Sequence, residues 1–231
     1  MKLEKITETV LARDRRWYDD ACGTALGMEI VGERWSLLIV RELLLGPRRF
    51  GELRAGLAGI SANILTQRLE GLAAAGIVER RQLPAHPGVR VYALTPWGRE
   101  CEPVVLGIGR WALRSPRHDP TLNFSPVSLM LSLKMLLVAE RIGDFRAAIG
   151  FRLDGEDYGA RIGEGAIAVA RGTLTDPDAA FESAPGALLP HFYGGLPLSR
   201  ATAVLVSGDP AVAQRFAGLF ALPEKVTAAS D

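Results

Sequence analysis

The stretch that decides the fold of the first half is EIVGERWSLLIVREL at residues 29–43, together with the segments that follow it up to LTPWGR at residues 94–99. Its apolar residues recur at the spacing of one helix face: Val31, Trp35, Leu38 and Ile39. This pattern predicts a packing helix that ends before Gly46 and Pro47, because neither residue continues a helix well.

Two further helical patterns follow. Phe50, Leu53 and Leu57 predict a short helix, and Gly56 and Gly59 mark the tight turn after it. Ser61 stands where a helix N-cap is expected, and the segment 62–75 predicts a second helix with two distinct faces. The apolar face carries Leu65, Leu69 and Leu72, and the polar face carries Asn63, Thr66, Gln67 and Glu70.

A short helix, a glycine turn and a helix with an exposed polar face are typical of a helix-turn-helix, whose second helix lies in the DNA major groove. The alternative is an ordinary amphipathic surface helix. The next segments favour the first interpretation. Residues 77–83 and 90–94 alternate apolar and polar side chains around turn residues 84–88, which predicts a hairpin. Its basic residues can reach phosphates or the minor groove: Arg80, Arg81, His86 and Arg90.

The block resembles the HxlR-type winged helix-turn-helix family of bacterial transcription regulators, which are relatives of the MarR type. The resemblance runs from Cys22 to about Arg114, through VGERWSLLIVREL, GPRRFGEL, GISANILTQRL, GIVERR and YALTPWGR. It implies double-stranded DNA as partner, a palindromic operator, and a homodimer in which the N-terminal segment pairs with the helix predicted over 96–114.

Specific roles follow for individual side chains. Asn63, Thr66 and Gln67 are expected to read bases, while arginines hold phosphates. The full predicted DNA-binding set is Arg48, Arg49, Ser61, Asn63, Thr66, Gln67, Arg68, Arg80, Arg81, His86 and Arg90. For Arg34, Arg41 and Arg68, an internal ion pair is an equally good interpretation.

The charge distribution divides the chain. Residues 1–115 hold 17 Lys+Arg and 13 Asp+Glu, a difference of +4, and the totals of 27 and 26 leave 10 and 13, or −3, for the rest. A polar segment with three prolines separates the two parts and cannot continue a helix. We therefore expect an α+β protein with a DNA-binding and dimerisation domain at 1–115, a linker at 116–126 and a second domain at 127–231.

The second part predicts a small antiparallel or mixed sheet with helices on one face. Alternating segments indicate strands at 148–153, 158–162, 166–170, 180–183 and 203–206, and helices over 186–193 and from Pro210 to Leu219. The Leu- and Met-rich run 127–138 is too short to span a membrane. It is expected to form a buried or interfacial helix.

Over about residues 125–222, this part resembles the lipid-binding domain of the sterol carrier protein type, through FRLDGE at 151–156, YGARI at 158–162, TDPDA at 175–179 and VSGDPAVAQRF at 206–216. The resemblance implies an apolar tunnel and a hydrophobic small-molecule effector. The candidate pocket residues are Phe151, Tyr158, Phe181, Leu188, Leu189, Phe192 and Tyr193. Ordinary core packing is the alternative for each of them.

Patterns typical of enzymes are missing from the sequence. The three histidines lie far apart, no His or Cys pair has metal spacing, and no nucleophile elbow or phosphate-binding loop is present. We therefore expect no catalytic residue, no metal and no cofactor. Without a long apolar run or leader, the chain is expected in the cytoplasm, on the nucleoid when bound to DNA, and not in a membrane.

The two parts together predict a transcription regulator, by default a repressor, that is controlled by a hydrophobic effector. Two alternatives remain open. One is a lipid-binding carrier in which the winged helix serves dimerisation or protein contact. The other is a thiol redox-sensing regulator acting through Cys22, which stands where some members of the resembled family carry a reactive thiol, although Gly23 replaces a common proline. A plain buried cysteine is the competing interpretation of Cys22.

Overall fold

The computed structural model describes residues 18–83 and 86–227. In the first half it has α1 (Gly23–Val31), α2 (Ser36–Leu43), α3 (Phe50–Gly56), α4 (Ala62–Ala74), β1 (Val78–Leu83), β2 (His86–Leu94), α5 (Pro96–Arg99) and α6 (Glu102–Ala112). In the second half it has α7 (Pro126–Leu136), β3 (Ala147–Leu153), β4 (Glu156–Gly163), β5 (Ala166–Arg171), β6 (Ala179–Ser183), α8 (Pro185–Phe192), β7 (Leu205–Gly208) and α9 (Pro210–Ala217).

The first predicted helix is wrong as a single helix. Val31 ends α1, and α2 starts only at Ser36, after Trp35 takes a left-handed backbone conformation with φ of 81°. The predicted stripe is therefore divided between two helices, and Leu38 is 41% exposed whereas Ile39 is fully buried. Gly32 favours the break because glycine is a poor helix former.

The short helix, the turn, the second helix and the hairpin are all present as predicted. β1 and β2 pair antiparallel, with Arg80 opposite Tyr92. The apolar faces of α2, α3 and α4 meet in one core with the base of the hairpin. It includes Ile39, Leu43, Leu53, Leu57, Leu65, Leu69, Leu72, Ile77, Val78 and Leu94.

The helix predicted over 96–114 is also divided, into α5 and α6. Pro103 lies in the first turn of α6, where its missing N–H costs nothing, and Cys101 is the N-cap residue. Proline in this place begins a helix rather than continuing one, so α6 starts as a separate helix at Glu102. Residues 1–17, which were expected to join this helix in a dimer, lie outside the described residues.

The second half contains a five-stranded sheet in the order β5-β4-β3-β6-β7. β5, β4 and β3 form the predicted antiparallel meander, while β6 returns parallel to β3 and β7 pairs antiparallel with β6. The sheet is therefore mixed. The last predicted strand, at 203–206, is displaced to Leu205–Gly208.

The core of this half lies on one face of the sheet. Along β3, Ile149, Phe151 and Leu153 are buried while Arg152 is exposed, which is the alternation of a half-buried strand. The helix predicted at 127–138 is confirmed as α7, and seven of its residues are buried. α7 also contacts α2 and α6, so it packs against both halves of the molecule.

Candidate nucleic-acid interface

Helix α4 has the geometry that a reading helix needs. The Ser61 hydroxyl accepts a hydrogen bond from the Ile64 backbone N–H at 3.3 Å, as predicted for the N-cap. Leu65 and Leu69 are fully buried and fix the helix against the core. As a result, the side chains on the opposite face are exposed together: Asn63, Thr66, Gln67 and Glu70.

The wing stands beside this helix and is basic. Arg80, Arg81 and Arg90 are all exposed. The Arg80 guanidinium lies 5.5 Å from the centre of the Tyr92 ring across the hairpin, and 4.0 Å from the Glu70 carboxylate of α4. Arg81 forms an ion pair with Glu79. The His86 side chain lies outside the described side chains.

Of two further arginines of the predicted set, Arg49 is as exposed as the wing arginines, whereas Arg68 is largely buried. Arg49 is 56% exposed at the start of α3, where its backbone N–H donates to Glu52 at 2.7 Å. Arg68 is 20% exposed, pairs with Glu33 at 2.8 Å and donates to the Arg34 carbonyl at 3.1 Å. The internal ion pair is therefore the better interpretation of Arg68 within one protomer.

Arg48 is buried and does not share the exposed surface of the wing arginines. Its side chain is 5% exposed, and it donates to Glu156 at 2.6 Å and to the Tyr158 hydroxyl at 2.9 Å, both on β4. Its backbone pairs with Tyr92 of the wing through two hydrogen bonds of 2.9 and 2.8 Å. We correct the prediction for Arg48, because a guanidinium enclosed between the two halves cannot reach a phosphate.

The surroundings of Arg48 form a compact charged cluster. Burial raises the pKa of Glu156, but the hydrogen bonds from Arg48 and Tyr158 outweigh it and the net pKa is lowered. Burial and the neighbouring Glu156 carboxylate raise the pKa of Tyr158 to about 12. Arg171 donates to the Pro47 carbonyl at 3.0 Å and so adds a second link between the halves.

Glu42 makes a third link, which the sequence pattern did not reveal. It is 1% exposed, and its Oε1 atom accepts hydrogen bonds from Arg41 at 2.8 Å and from the Ser125 hydroxyl at 2.7 Å. A Cβ atom at Gly56 would lie 2.7 Å from the other carboxylate oxygen, so this glycine leaves room for Glu42. A charged residue among apolar ones on α2 was the available signal.

The predicted ligand residues separate into two groups. Phe151, Tyr158, Phe181, Leu188 and Phe192 belong to the packed core. Phe151 stacks on Phe181 at 5.5 Å between ring centres, and Phe192 meets Phe181 edge-on at 5.4 Å. Their predicted role as pocket lining is corrected, since these rings fill the space between the sheet and its helices. Leu189 and Tyr193 do line a cavity.

That cavity has a volume of about 1370 Å³ and lies between α6, the segment 113–124, α7 and α8, partly open to solvent. Leu106, Leu131, Met135 and Leu189 contribute to its apolar walls. Leu122 also lines it, so the segment predicted as a linker forms one wall. An isolated leucine in a polar, proline-rich segment was the sequence signal for this.

Exposed apolar side chains lie on α5 and α6, and others lie on α1. Trp111 is 75% exposed, and Trp97, Val104 and Ile108 on the same segment are each about half exposed. Leu26 and Met28 of α1 are similarly exposed. Large apolar side chains grouped in this way indicate a surface that another protein molecule covers.

Cys22 is exposed at the start of α1, so the buried alternative does not hold. The backbone N–H groups of Thr24 and Ala25, at the N-terminus of the helix, lower the pKa of its thiol. Burial and the nearby Glu100 raise the pKa of the Cys101 thiol.

We expect iodoacetamide at neutral pH to alkylate Cys22 about ten times faster than Cys101, because the thiolate is the reactive form and Cys22 is both more acidic and more accessible. Intact-mass spectrometry over time, with Cys22→Ser and Cys101→Ser as matched variants, measures each rate alone. Equal rates would contradict this expectation.

Within residues 18–83 and 86–227, no group of His, Cys, Asp and Glu has the arrangement of a metal site. Among the helices in those same ranges, none combines the length and the apolar character that crossing a bilayer requires.

Comparison with known proteins matches residues 30–119 to the model of the HxlR-like helix-turn-helix family. The chain is 38% identical over 85 residues to the uncharacterized HTH-type transcriptional regulator YvaP of Bacillus subtilis, which is 37% of this chain and 79% of that protein. It is 40% identical over 81 residues to the uncharacterized HTH-type transcriptional regulator sll1512 of Synechocystis, covering 35% of this chain and 60% of that one. A solved structure of the reduced form of the transcriptional regulator YodB from B. subtilis shares 32% identity with a TM-score of 0.38, covering 43% of this chain and all of that one.

Proposed function

Because this chain belongs to the HxlR-like helix-turn-helix family, we propose that it is a homodimeric, sequence-specific DNA-binding regulator of transcription. The observation that carries the proposal is the exposed polar face of α4 beside a wing with three exposed arginines. In this arrangement, α4 enters the major groove while the wing follows the backbone or the minor groove. Asn63, Thr66 and Gln67 read base edges, and Arg49, Arg80, Arg81 and Arg90 hold phosphates.

The exposed apolar residues on α1 and α6 support the homodimer. Pairing these faces across a two-fold axis buries them and presents two α4 helices, which fits a palindromic operator. We propose repression as the outcome, since a dimer on a promoter blocks polymerase without needing any contact with it.

The second half is proposed as a sterol-carrier-like domain that binds a hydrophobic effector, in keeping with the domain limits 127–231. The large cavity also supports a second candidate function, a lipid-binding carrier in which the winged helix serves dimerisation or protein contact. Binding to duplex DNA separates the two, because the carrier has no need of it.

The test measures two variants on two duplexes. One duplex is selected from a random library by the wild-type protein, and the other has an unrelated sequence. We expect Gln67→Ala to weaken binding to the selected duplex by about 1 to 3 kcal/mol, with little change on an unrelated duplex, since a base contact carries specificity. Arg81→Ala should weaken both duplexes alike, because phosphates are the same in every sequence.

Fluorescence anisotropy at fixed salt measures both affinities. Glu164→Ala, an exposed change on the loop between β4 and β5, is the control. If Gln67→Ala and Arg81→Ala both leave the two affinities unchanged, the proposed placement of α4 and the wing on DNA is wrong.

A further inference from the structure

The large cavity is built from both halves of the molecule. α6 forms one wall through Leu106 and Gly109, and α7 and α8 form another through Leu131, Met135 and Leu189. Its volume of about 1370 Å³ exceeds the 300 to 1,000 Å³ typical of small-molecule sites. Methionine adapts its shape readily, so Met135 allows this wall to fit a flexible ligand.

The deep wall of the cavity includes two polar groups that are already satisfied. The Ser132 hydroxyl donates to the Leu129 carbonyl at 2.7 Å, which leaves its oxygen to accept from the Tyr193 hydroxyl at 2.5 Å. Burial raises the pKa of Tyr193, so this hydroxyl stays protonated. The deep end of the cavity therefore favours an apolar part of a ligand, because its polar groups need no further hydrogen-bond partner.

The rim is different, because it carries positive charge. Arg114 and Arg117 supply this charge, and His118 and one carboxylate, Asp119, lie beside them. Burial and the neighbouring Lys225 lower the pKa of His118, so its imidazole adds no charge at neutral pH. The Asp119 carboxylate is engaged by the Thr121 backbone N–H at 2.9 Å and by the Thr121 hydroxyl at 2.6 Å. The Lys225 ammonium group lies beside this rim, donating to the Leu113 and Ser115 carbonyls at 3.0 and 2.9 Å. The charge at the mouth is thus cationic.

We propose that this cavity binds an amphiphilic carboxylate, with its apolar chain along α7 and its carboxylate at the Arg114–Arg117 rim. Arginine suits a carboxylate because the planar guanidinium donates two parallel hydrogen bonds. Placed there, the ligand contacts the same α6 helix that carries the exposed apolar residues, and Trp111 belongs to both surfaces. This proposal deepens the proposed effector function of the second half and rests on it, but it does not depend on DNA binding.

The test uses 11-(dansylamino)undecanoate as a fluorescent probe on the full chain without DNA. We expect saturable binding that palmitate displaces about ten times better than palmitate methyl ester, because the ester lacks the charge that the rim recognises. Arg117→Gln, which removes one rim charge, should weaken palmitate about threefold and leave the ester unchanged.

Filling the cavity tests its location. Gly186 lines the cavity, and a Cβ added there would have no atom within 4 Å. We therefore expect Gly186→Trp to reduce probe affinity about tenfold or more. Met135→Trp, at a half-buried wall position, is the second filling variant. Gly71→Trp is the matched control, because Gly71 has equal room but lies on α4, away from the cavity.

Three results would overturn the proposal: no saturable probe binding, equal displacement by acid and ester, or loss of affinity that is the same in the control. A fourth is that both filling variants change the dimer mass by light scattering without changing probe affinity, which would show a second copy as the occupant. Duplex binding of the ligand-free protein is measured separately, so failure here is distinguishable from failure of the regulator proposal.

Discussion

Raising the salt concentration from 50 to 200 mM is expected to weaken duplex binding by on the order of a thousandfold. Four arginines per protomer are placed for phosphates, Arg49, Arg80, Arg81 and Arg90, which gives 4 × 2 = 8 in the proposed dimer. Each neutralised phosphate releases condensed counterions, and the loss of this release makes binding steeply salt-dependent.

The expected thousandfold loss of affinity lies at the lower end of the range for about 6 to 10 phosphate contacts. The reason is that glutamates of the protein compete with phosphates for these arginines, since Arg49, Arg80 and Arg81 each lie within 4.0 Å of a glutamate. Anisotropy titrations at several salt concentrations give the slope. A binding constant that hardly changes with salt, or no binding at 50 mM, would contradict the proposal of a DNA-binding regulator and favour the lipid-binding carrier.

The second large effect is expected on stability, at the junction of the two halves. Glu156→Ala should lower the free energy of unfolding by about 3 kcal/mol, because it leaves the Arg48 guanidinium, 5% exposed, without its carboxylate. Arg48→Met should cost less, since the remaining Glu156 carboxylate is 37% exposed and water can solvate it.

Urea denaturation measures both variants, and Glu164→Ala is the matched control. Glu164 pairs with Arg146 at 3.0 Å, but the two side chains are 78% and 68% exposed, so its loss should cost less than about 1 kcal/mol. If Glu156→Ala behaves like this control, the cluster does not hold the halves together.

The pH dependence gives an independent check on the cluster. Because the folded state lowers the pKa of Glu156 below its ordinary value of 4.5, the stabilisation is present above that value and is lost as the pH falls through the lowered pKa. The difference between wild type and Glu156→Ala should therefore shrink as the pH is brought below 4.5. A difference that grows on acidification would contradict this assignment of the pKa.

Local patterns predicted well those elements whose side chains depend on neighbours in sequence. The Ser61 cap, the faces of α4 and the alternation in β1 and β2 each follow from spacing and backbone hydrogen bonding. Breaks in helices were predicted less well. The four residues between α1 and α2 and the division at Cys101 both preserve a helix-like apolar spacing in the sequence, so the apolar periodicity alone did not reveal these breaks.

The helix-turn-helix and the wing follow from the amino-acid sequence alone, because periodicity and turn residues specify them. Which side chains are exposed, and so able to contact a partner, depends on the tertiary structure. Arg48 and Arg49 are neighbours in the chain, yet one is enclosed against Glu156 and the other is exposed. The same holds for the aromatic residues of the sheet, which pack against one another while the cavity forms elsewhere, around α7. Burial and pairing between residues far apart in sequence depend on how helices and sheet pack, and residue type and spacing do not encode that packing locally.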